Sequence, residues 1–179
     1  MSTRNGNVTI SGQSPLLMHQ YPMVEIPGIE KKPPEEQAEL ATYRTPDGKL
    51  YVPAVNLQRA FVAGGTFVKG KGRASLQKIV AACVIVAPEY LLLGQEKYEI
   101  DARSVVIPST KGRVRRYRPK FNEWGLSFEI EYDDVLLSEA QLRDVVDQTG
   151  SRIGLLDFRP ECKGPFGRFK VTHWTNGAG

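Results

Sequence analysis

Every second residue over 124–132 is apolar: Trp124, Leu126, Phe128, Ile130 and Tyr132 alternate with Gly125, Ser127, Glu129 and Glu131. Successive side chains of a strand point to opposite sides of the sheet, so this pattern predicts an antiparallel strand with one buried and one wet face. Downstream the period becomes helical. Ser138 and Gln141 stand at capping-box spacing, and Leu137 and Leu142 at the spacing of a hydrophobic staple. Leu142, Val145, Val146 and Thr149 form the apolar stripe, with Gly150 as the expected stop. A one-sided strand followed by an amphipathic helix needs a second layer on which both bury, which confines the chain to α+β architectures.

The remaining elements are read in the same way. Alternation over 7–13 predicts a first strand, ended by Pro15-Leu16-Leu17-Met18. Residues 19–49 carry Pro22, Pro27, Pro33, Pro34 and Pro46 and read as an inserted loop, with a short helix at 35–42. Leu57, Ala60, Phe61 and Gly64 predict a helix over 53–67 with Asn56 as its cap. Leu76, Ile79, Val80 and Cys83 predict a helical turn that runs into a strand at 83–86. Weaker strands are expected at 90–93 and 103–107. In a last strand over 166–174, Phe169, Val171 and His173 should share one face, and Arg168, Lys170 and Thr172 the other. The order reduces to βαββαβ, a modified ferredoxin-like or RNA-recognition-motif fold. We expect a single such domain over 1–179, with a long loop insertion at 19–49, a basic hairpin at 108–122 and a Gly-rich loop at 150–165.

Composition excludes several classes. With 179 residues, 41% hydrophobic and 25% charged, the chain is neither disordered nor collagen-like, and a domain of this length buries about 70% of its unfolded surface. The richest apolar run, 79–87, is too short to span a bilayer, and Met1-Ser2-Thr3-Arg4-Asn5-Gly6-Asn7 lacks the apolar core of a secretory signal. A cytoplasmic protein without a membrane partner is expected. Cys83, Cys162, His19 and His173 lie far apart, so we expect no metal site, no disulfide framework and no cofactor. Cys83, within Ala81-Ala82-Cys83-Val84-Ile85, reads as a core residue.

The net charge of +4 conceals strong segregation. Residues 48–88 contain no acid but carry Lys49, Arg59, Lys69, Lys71, Arg73 and Lys78. Residues 102–122 again contain none, against Arg103, Lys111, Arg113, Arg115, Arg116, Arg118 and Lys120. Over 123–147 eight acids face one base, Arg143. Such a polarised surface favours a polyanion on one side and head-to-tail self-association.

Three constellations follow. In Lys111-Gly112-Arg113-Val114-Arg115-Arg116-Tyr117-Arg118-Pro119-Lys120-Phe121, cations suited to phosphates are interleaved with rings suited to bases. Arg113 and Arg115 would point one way on a strand and Arg116 and Arg118 the other, so at least one row must reach solvent. The competing reading is a solvated hairpin whose arginines pair with the acidic strand beside it. The loop around Lys69, Lys71 and Arg73 lacks the spacing of a nucleotide-binding P-loop and reads as a weaker backbone contact. The Gly-rich stretch 150–169 brings Arg159, Lys163 and Arg168 close to glycines that permit close approach of a backbone. By contrast, Ser127, Glu129 and Glu131 on the open strand face repel phosphate, so loops and hairpin are expected to hold the nucleic acid.

Tyr51-Val52-Pro53-Ala54-Val55-Asn56-Leu57-Gln58-Arg59-Ala60 resembles a helix start of the RAMP superfamily, the RNA-binding backbone subunits of CRISPR effector complexes. The stretch 150–169, ending Gly164-Pro165-Phe166-Gly167-Arg168-Phe169, resembles their Gly-rich loop and last strand. Closer still is the likeness to small phage and prophage proteins, carried by 10–19, by 116–124 and by Gly154-Leu155-Leu156-Asp157-Phe158-Arg159-Pro160. Leu156 stands where that last pattern has glycine; Ala54, Val55 and Asn56 replace the glycine and serines of the helix motif. The resemblance implies a modified RNA-recognition fold, single-strand binding and head-to-tail arrays in a bacterial or phage-infected cell.

The expected function is therefore that of a non-enzymatic protein coating single-stranded DNA or RNA as head-to-tail homo-oligomers, in a phage or CRISPR-like context. Its expected contacts are Arg59, Lys69, Lys71, Arg73, Lys111, Arg113, Arg115, Arg116, Tyr117, Arg118, Lys120, Phe121, Arg159, Lys163 and Arg168. One alternative is a metal-dependent endoribonuclease. Asp47 is the only aspartate of the first loop and His19 its nearby histidine, although Thr45-Pro46-Asp47-Gly48 also reads as a plain turn. Another is a phage structural or assembly protein whose basic patch meets an acidic protein.

Overall fold

The computed structural model describes residues 2–177. Its elements run in order β1 (Thr3–Gly12), β2 (Leu16–Leu17), α1 (Pro34–Leu40), β3 (Tyr51–Pro53), α2 (Ala54–Gly64), α3 (Gln77–Cys83), β4 (Val84–Ala87), β5 (Tyr90–Leu92), β6 (Glu99–Val106), β7 (Arg113–Phe121), β8 (Gly125–Asp133), α4 (Glu139–Gln148) and β9 (Phe169–Asn176). The architecture is α+β with antiparallel sheets.

The alternating segment becomes β8, whose Leu126, Phe128, Ile130 and Tyr132 are buried while Ser127, Glu129 and Glu131 are exposed. It lies second in a sheet of order β4-β8-β1-β9, with every neighbouring pair antiparallel. Its inner face meets Leu57 and Phe61 of α2 and Leu142, Val145 and Val146 of α4 in one core. At Gly64 a Cβ would come within 2.0 Å of Thr149 Oγ1, so glycine lets α2 and the end of α4 touch. Within α4 the capping box forms as read, with the Gln141 amide nitrogen donating to Ser138 Oγ at 3.3 Å.

Several expectations are corrected. Gly150 does not stop the helix: α4 passes into a wider turn over Thr149–Ile153, and the left-handed Gly154 (φ +74°) ends it. Asn56 is not a cap; Pro53 precedes the first turn of α2, and Asn56 lies inside it. Leu16 and Leu17 do more than end β1, since as β2 they pair with β7 in a second sheet of order β2-β7-β6. In β9 a bulge interrupts the register, Ile10 facing Val171 while Thr9 faces His173. The extra residue reverses the alternation. His173 therefore turns outward, and Trp174 packs on the core in its place.

The insertion at 19–49 is folded onto the protein. Gln37 and Ala38 of α1 are buried, the Tyr98 hydroxyl donates to Glu39 at 2.6 Å, and Arg44 bridges to Leu50. Burial and this bond push the Tyr98 hydroxyl up to about 12. Cys83 is partly buried against the core, and burial raises its thiol. No helix of the described residues is long and apolar enough to cross a membrane.

Candidate nucleic-acid interface

The basic hairpin is longer than the sequence indicates, because its first strand, β6, begins at Glu99. Cross-strand pairing sets Tyr117 opposite Ala102, Arg115 opposite Ser104 and Arg113 opposite Val106. These positions share one face, on which Arg113 and Arg115 are exposed and Tyr117 is half-buried. In the connecting turn Lys111 is exposed in a left-handed conformation (φ 56°). Among the described residues, none of Lys111, Arg113, Arg115 and Arg116 has a carboxylate within ion-pair distance.

The other face of β7 turns toward the protein and takes up Arg118 and Lys120, while burial at the far end of the strand takes up Phe121, which lies on the same face as Arg113 and Arg115. Three expected contacts are thereby removed. Arg118 is 6% exposed and pairs with Asp157, and its Nη2 lies 3.8 Å from Asp101 Oδ2. Lys120 pairs with Glu99 at 3.1 Å. Phe121 is 1% exposed and stacks edge-on against Tyr98 in the core, so no base can reach its ring. Of the β7 arginines, Arg118 pairs with acids, but with Asp101 and Asp157 and not with the acidic segment 123–147. Arg103, opposite Arg116, forks onto Asp101 at 2.8 and 3.0 Å and lies over the Phe166 ring at 4.8 Å.

Lys69, Lys71 and Arg73 are exposed on a small turn closed by the Gly70 amide donating to the Ala74 carbonyl at 2.8 Å, with Gly72 at φ +69°. The sequence expected a flexible loop; a Lys69–Ser75 bridge ties its base.

The Gly-rich loop is built on an unusual backbone. Gly154, Leu156, Phe158, Lys163 and Gly167 all adopt positive φ. For leucine and phenylalanine this conformation costs on the order of 1–3 kcal/mol each, offset by the packing around them. Leu156 takes φ 61°, a conformation that favours glycine, and its side chain is buried. Asp157 lies between the two strained residues. Its amide donates to the Leu17 carbonyl at 3.0 Å, and its carboxylate meets Arg118 and, at 3.6 Å, His19 Nδ1. Burial alone would raise this carboxyl; the nearby His19 ring and the Arg118 charge and hydrogen bond outweigh it and hold Asp157 at about 2.

Beside this pair opens a cleft of about 360 Å³, lined by His19, Tyr43, Asn56, Arg59, residues 154–157, Arg159 and Glu161. It joins two expected contacts, Arg59 and Arg159. Arg159 also forks onto Glu161 and donates to the Leu156 carbonyl at 2.8 Å. Lys163 and Arg168 are exposed beyond it, Arg168 donating to the Ser151 carbonyl at 2.8 Å. The cations of 69–73 and 111–116 do not line the cleft. Nor does Asp47, exposed in a turn where Thr45 donates to it and Lys49 lies 3.5 Å away. Sequence reasoning missed Tyr43 and the His19–Asp157 pair. Their only signal was the unusual run Leu155-Leu156-Asp157-Phe158 after a glycine.

No family model and no curated protein matches the sequence. Among solved structures, one chain of the cryo-EM structure of the Type III-B Cmr-beta bound to cognate target RNA is similar in fold. The TM-score is 0.60 at 11% identity, and the match covers 97% of this chain. This chain spans 60% of the length of that one. At such low identity the likeness is one of fold.

Proposed function

We propose that the chain binds single-stranded nucleic acid, RNA in the first instance, as a RAMP-like subunit. The observation that carries this reading is the outward row of Arg113 and Arg115, with Lys111 at its tip, free of carboxylate partners among the described residues. Cations that no acid neutralises are those from which a polyanion releases counterions at a gain. The β4-β8-β1-β9 order, with α2 and α4 on one face, fits a ferredoxin-like, RNA-recognition-type core. The similar Cmr-beta structure, which contains target RNA, supports the choice of RNA.

In this reading the strand avoids the open sheet face, where Glu129 faces Asn7 and Glu131 faces Asn5. It follows the hairpin and the loops, and the acidic sheet face of one copy meets the basic face of the next, giving head-to-tail arrays in a phage or CRISPR-like setting. Fluorescence anisotropy with labelled single-stranded RNA, single-stranded DNA and duplex DNA tests the reading. Single-strand binding should weaken with salt at a log–log slope of about −0.7 per phosphate neutralised. Absence of binding at low salt would overturn it.

A further inference from the structure

The sheet β4-β8-β1-β9 ends on β4 and β9, and the two edges differ in how they are protected. β4 contributes four residues and is followed at once by Pro88, which has no N–H to offer. β6, an edge of the hairpin sheet, carries Glu99, Asp101 and Arg103, charges that discourage a further strand. β9 has neither device. Its eight residues contain no proline, and Lys170 is their only lysine, arginine or carboxylate.

The pairing of β9 determines which of its backbone groups face outward. The Gly177 amide donates to the Asn5 carbonyl at 2.8 Å, whereas the Gly12 amide donates to the Trp124 carbonyl at 2.9 Å. Odd residues of β1 therefore bond toward β9 and even ones toward β8. Their partners Lys170, His173 and Thr175 turn their backbone groups toward β1, which leaves those of Val171 and Trp174 pointing away. Among the described residues, no backbone group outside β1 bonds to 170–175. Before that stretch the edge is closed, since a Cβ on Gly150 would lie 2.1 Å from the Phe169 carbonyl oxygen.

The bulge makes this edge self-complementary. In a regular strand, a two-fold axis between residues 172 and 173 would set inward side chains opposite outward ones. The extra residue at that point restores the match, because Val171 on one side of it and Trp174 on the other both pack on the core. Two antiparallel copies related by that axis set Val171 opposite Trp174 of the second copy, and Trp174 opposite its Val171. Each of these residues directs its free N–H and C=O at the other, and a β-branched side chain meets an aromatic one on the inner face. On the outer face Lys170 meets Thr175, so no like charges oppose. A shift by one residue sets Val171 against His173 or Thr175, both exposed, and breaks the match.

We propose that β9 is a dimerisation edge, which joins two copies of this chain by two-fold, antiparallel β9–β9 pairing into one continuous sheet. The contact does not draw on the nucleic-acid reading. It uses the rim of the sheet and leaves the face that bears Glu129 and Glu131 open.

Sedimentation velocity on nuclease-treated protein, over a range of concentrations and at physiological and high salt, tests the proposal. High salt screens attraction between acidic and basic faces but not strand pairing, so a monomer–dimer equilibrium with nothing larger is expected there. Val171→Pro removes an outward N–H without removing a bond to β1, and should abolish the dimer. Thr175→Lys, at an exposed position, sets a lysine opposite Lys170 of the second copy and should weaken the dimer severalfold at physiological salt. Adding Lys170→Glu should restore it. Circular dichroism establishes which variants fold; if Val171→Pro does not, Thr175→Lys and its rescue decide. Monomer at every concentration overturns the proposal and leaves the edge to an extended segment of another protein. A dimer that Thr175→Lys leaves intact, or that Lys170→Glu fails to restore, overturns it too, as does open-ended assembly that survives high salt.

Discussion

Arg118 and Asp157, 39 residues apart, form an ion pair that ties the inner face of the basic hairpin to the Gly-rich loop. Asp101 closes the cluster from the neighbouring strand, and His19 meets the same Asp157 carboxylate from the segment after β2. One arginine of a run that reads as a phosphate-binding stretch thus holds two parts of the fold together.

Replacing Arg118 with alanine should therefore act on stability. Removing Arg118 leaves Asp157, a third exposed, without its arginine, while Asp101 keeps Arg103, so the loss should lie near or below the low end of the roughly 3–5 kcal/mol typical of breaking a fully buried pair. Urea denaturation should show that loss, and the salt slope of strand binding by the folded fraction should stay at the wild-type value. A stable variant with a reduced slope would assign Arg118 to the interface instead.

The opposite outcome is expected for Arg113→Ala combined with Arg115→Ala. Both side chains are exposed and unpaired among the described residues, so stability should stay within about 0.5 kcal/mol. Salt titration of single-stranded RNA affinity should lose about 1.4 units of log–log slope, two phosphates at about 0.7 each. An unchanged slope would exclude this row from the contact.

These two variants mark how far the sequence could be read. Parity along 113–118 correctly separates the two rows of arginines, since strand alternation is local. Which row faces water depends on Asp101 and on Asp157, the latter delivered by a loop 39 residues away, and no local pattern encodes that. β8 and the α4 cap were legible because the alternation of the one and the capping bonds of the other are written within about ten residues, although β8 pairs with strands far away in sequence. The bulge that turns His173 outward was not, because it exists only in the pairing of β9 with β1. The cleft follows the same logic. Arg59 and Arg159 stood out by charge, whereas His19 and Asp157 become a pair only when β2 docks on β7 and the Asp157 amide bonds Leu17.

Asp157 gives the protein a distinct acid sensitivity. Its carboxyl is held at about 2, below the ordinary value of 3.8. A depressed carboxyl stabilises the fold above its unfolded value, and that contribution disappears as pH falls through the folded one. The loss is thus expected between about pH 4 and pH 2. It amounts to about 1–2 kcal/mol once the partial exposure of the side chain is discounted. Asp157→Asn should be less stable at neutral pH and should lack this component in an acid titration of urea midpoints. Parallel acid profiles for the two proteins would disprove the pairing.

The loop that carries Asp157 is held by a contact only glycine allows. A Cβ on Gly164 would come within 1.8 Å of the Phe158 carbonyl oxygen, a backbone atom that cannot move without unwinding the strained Phe158. Gly164→Ala should therefore destabilise by more than about 2 kcal/mol, or displace the loop and with it the wall of the cleft. Gly112 in the hairpin turn is the control, since its nearest neighbour is the Thr110 hydroxyl at 3.3 Å, a side chain free to rotate. Gly112→Ala should change stability by less than about 1 kcal/mol. Thermal melts of the two variants compare them directly. If Gly164→Ala melts with the wild type, the close approach of Gly164 to Phe158 has no role in holding the loop.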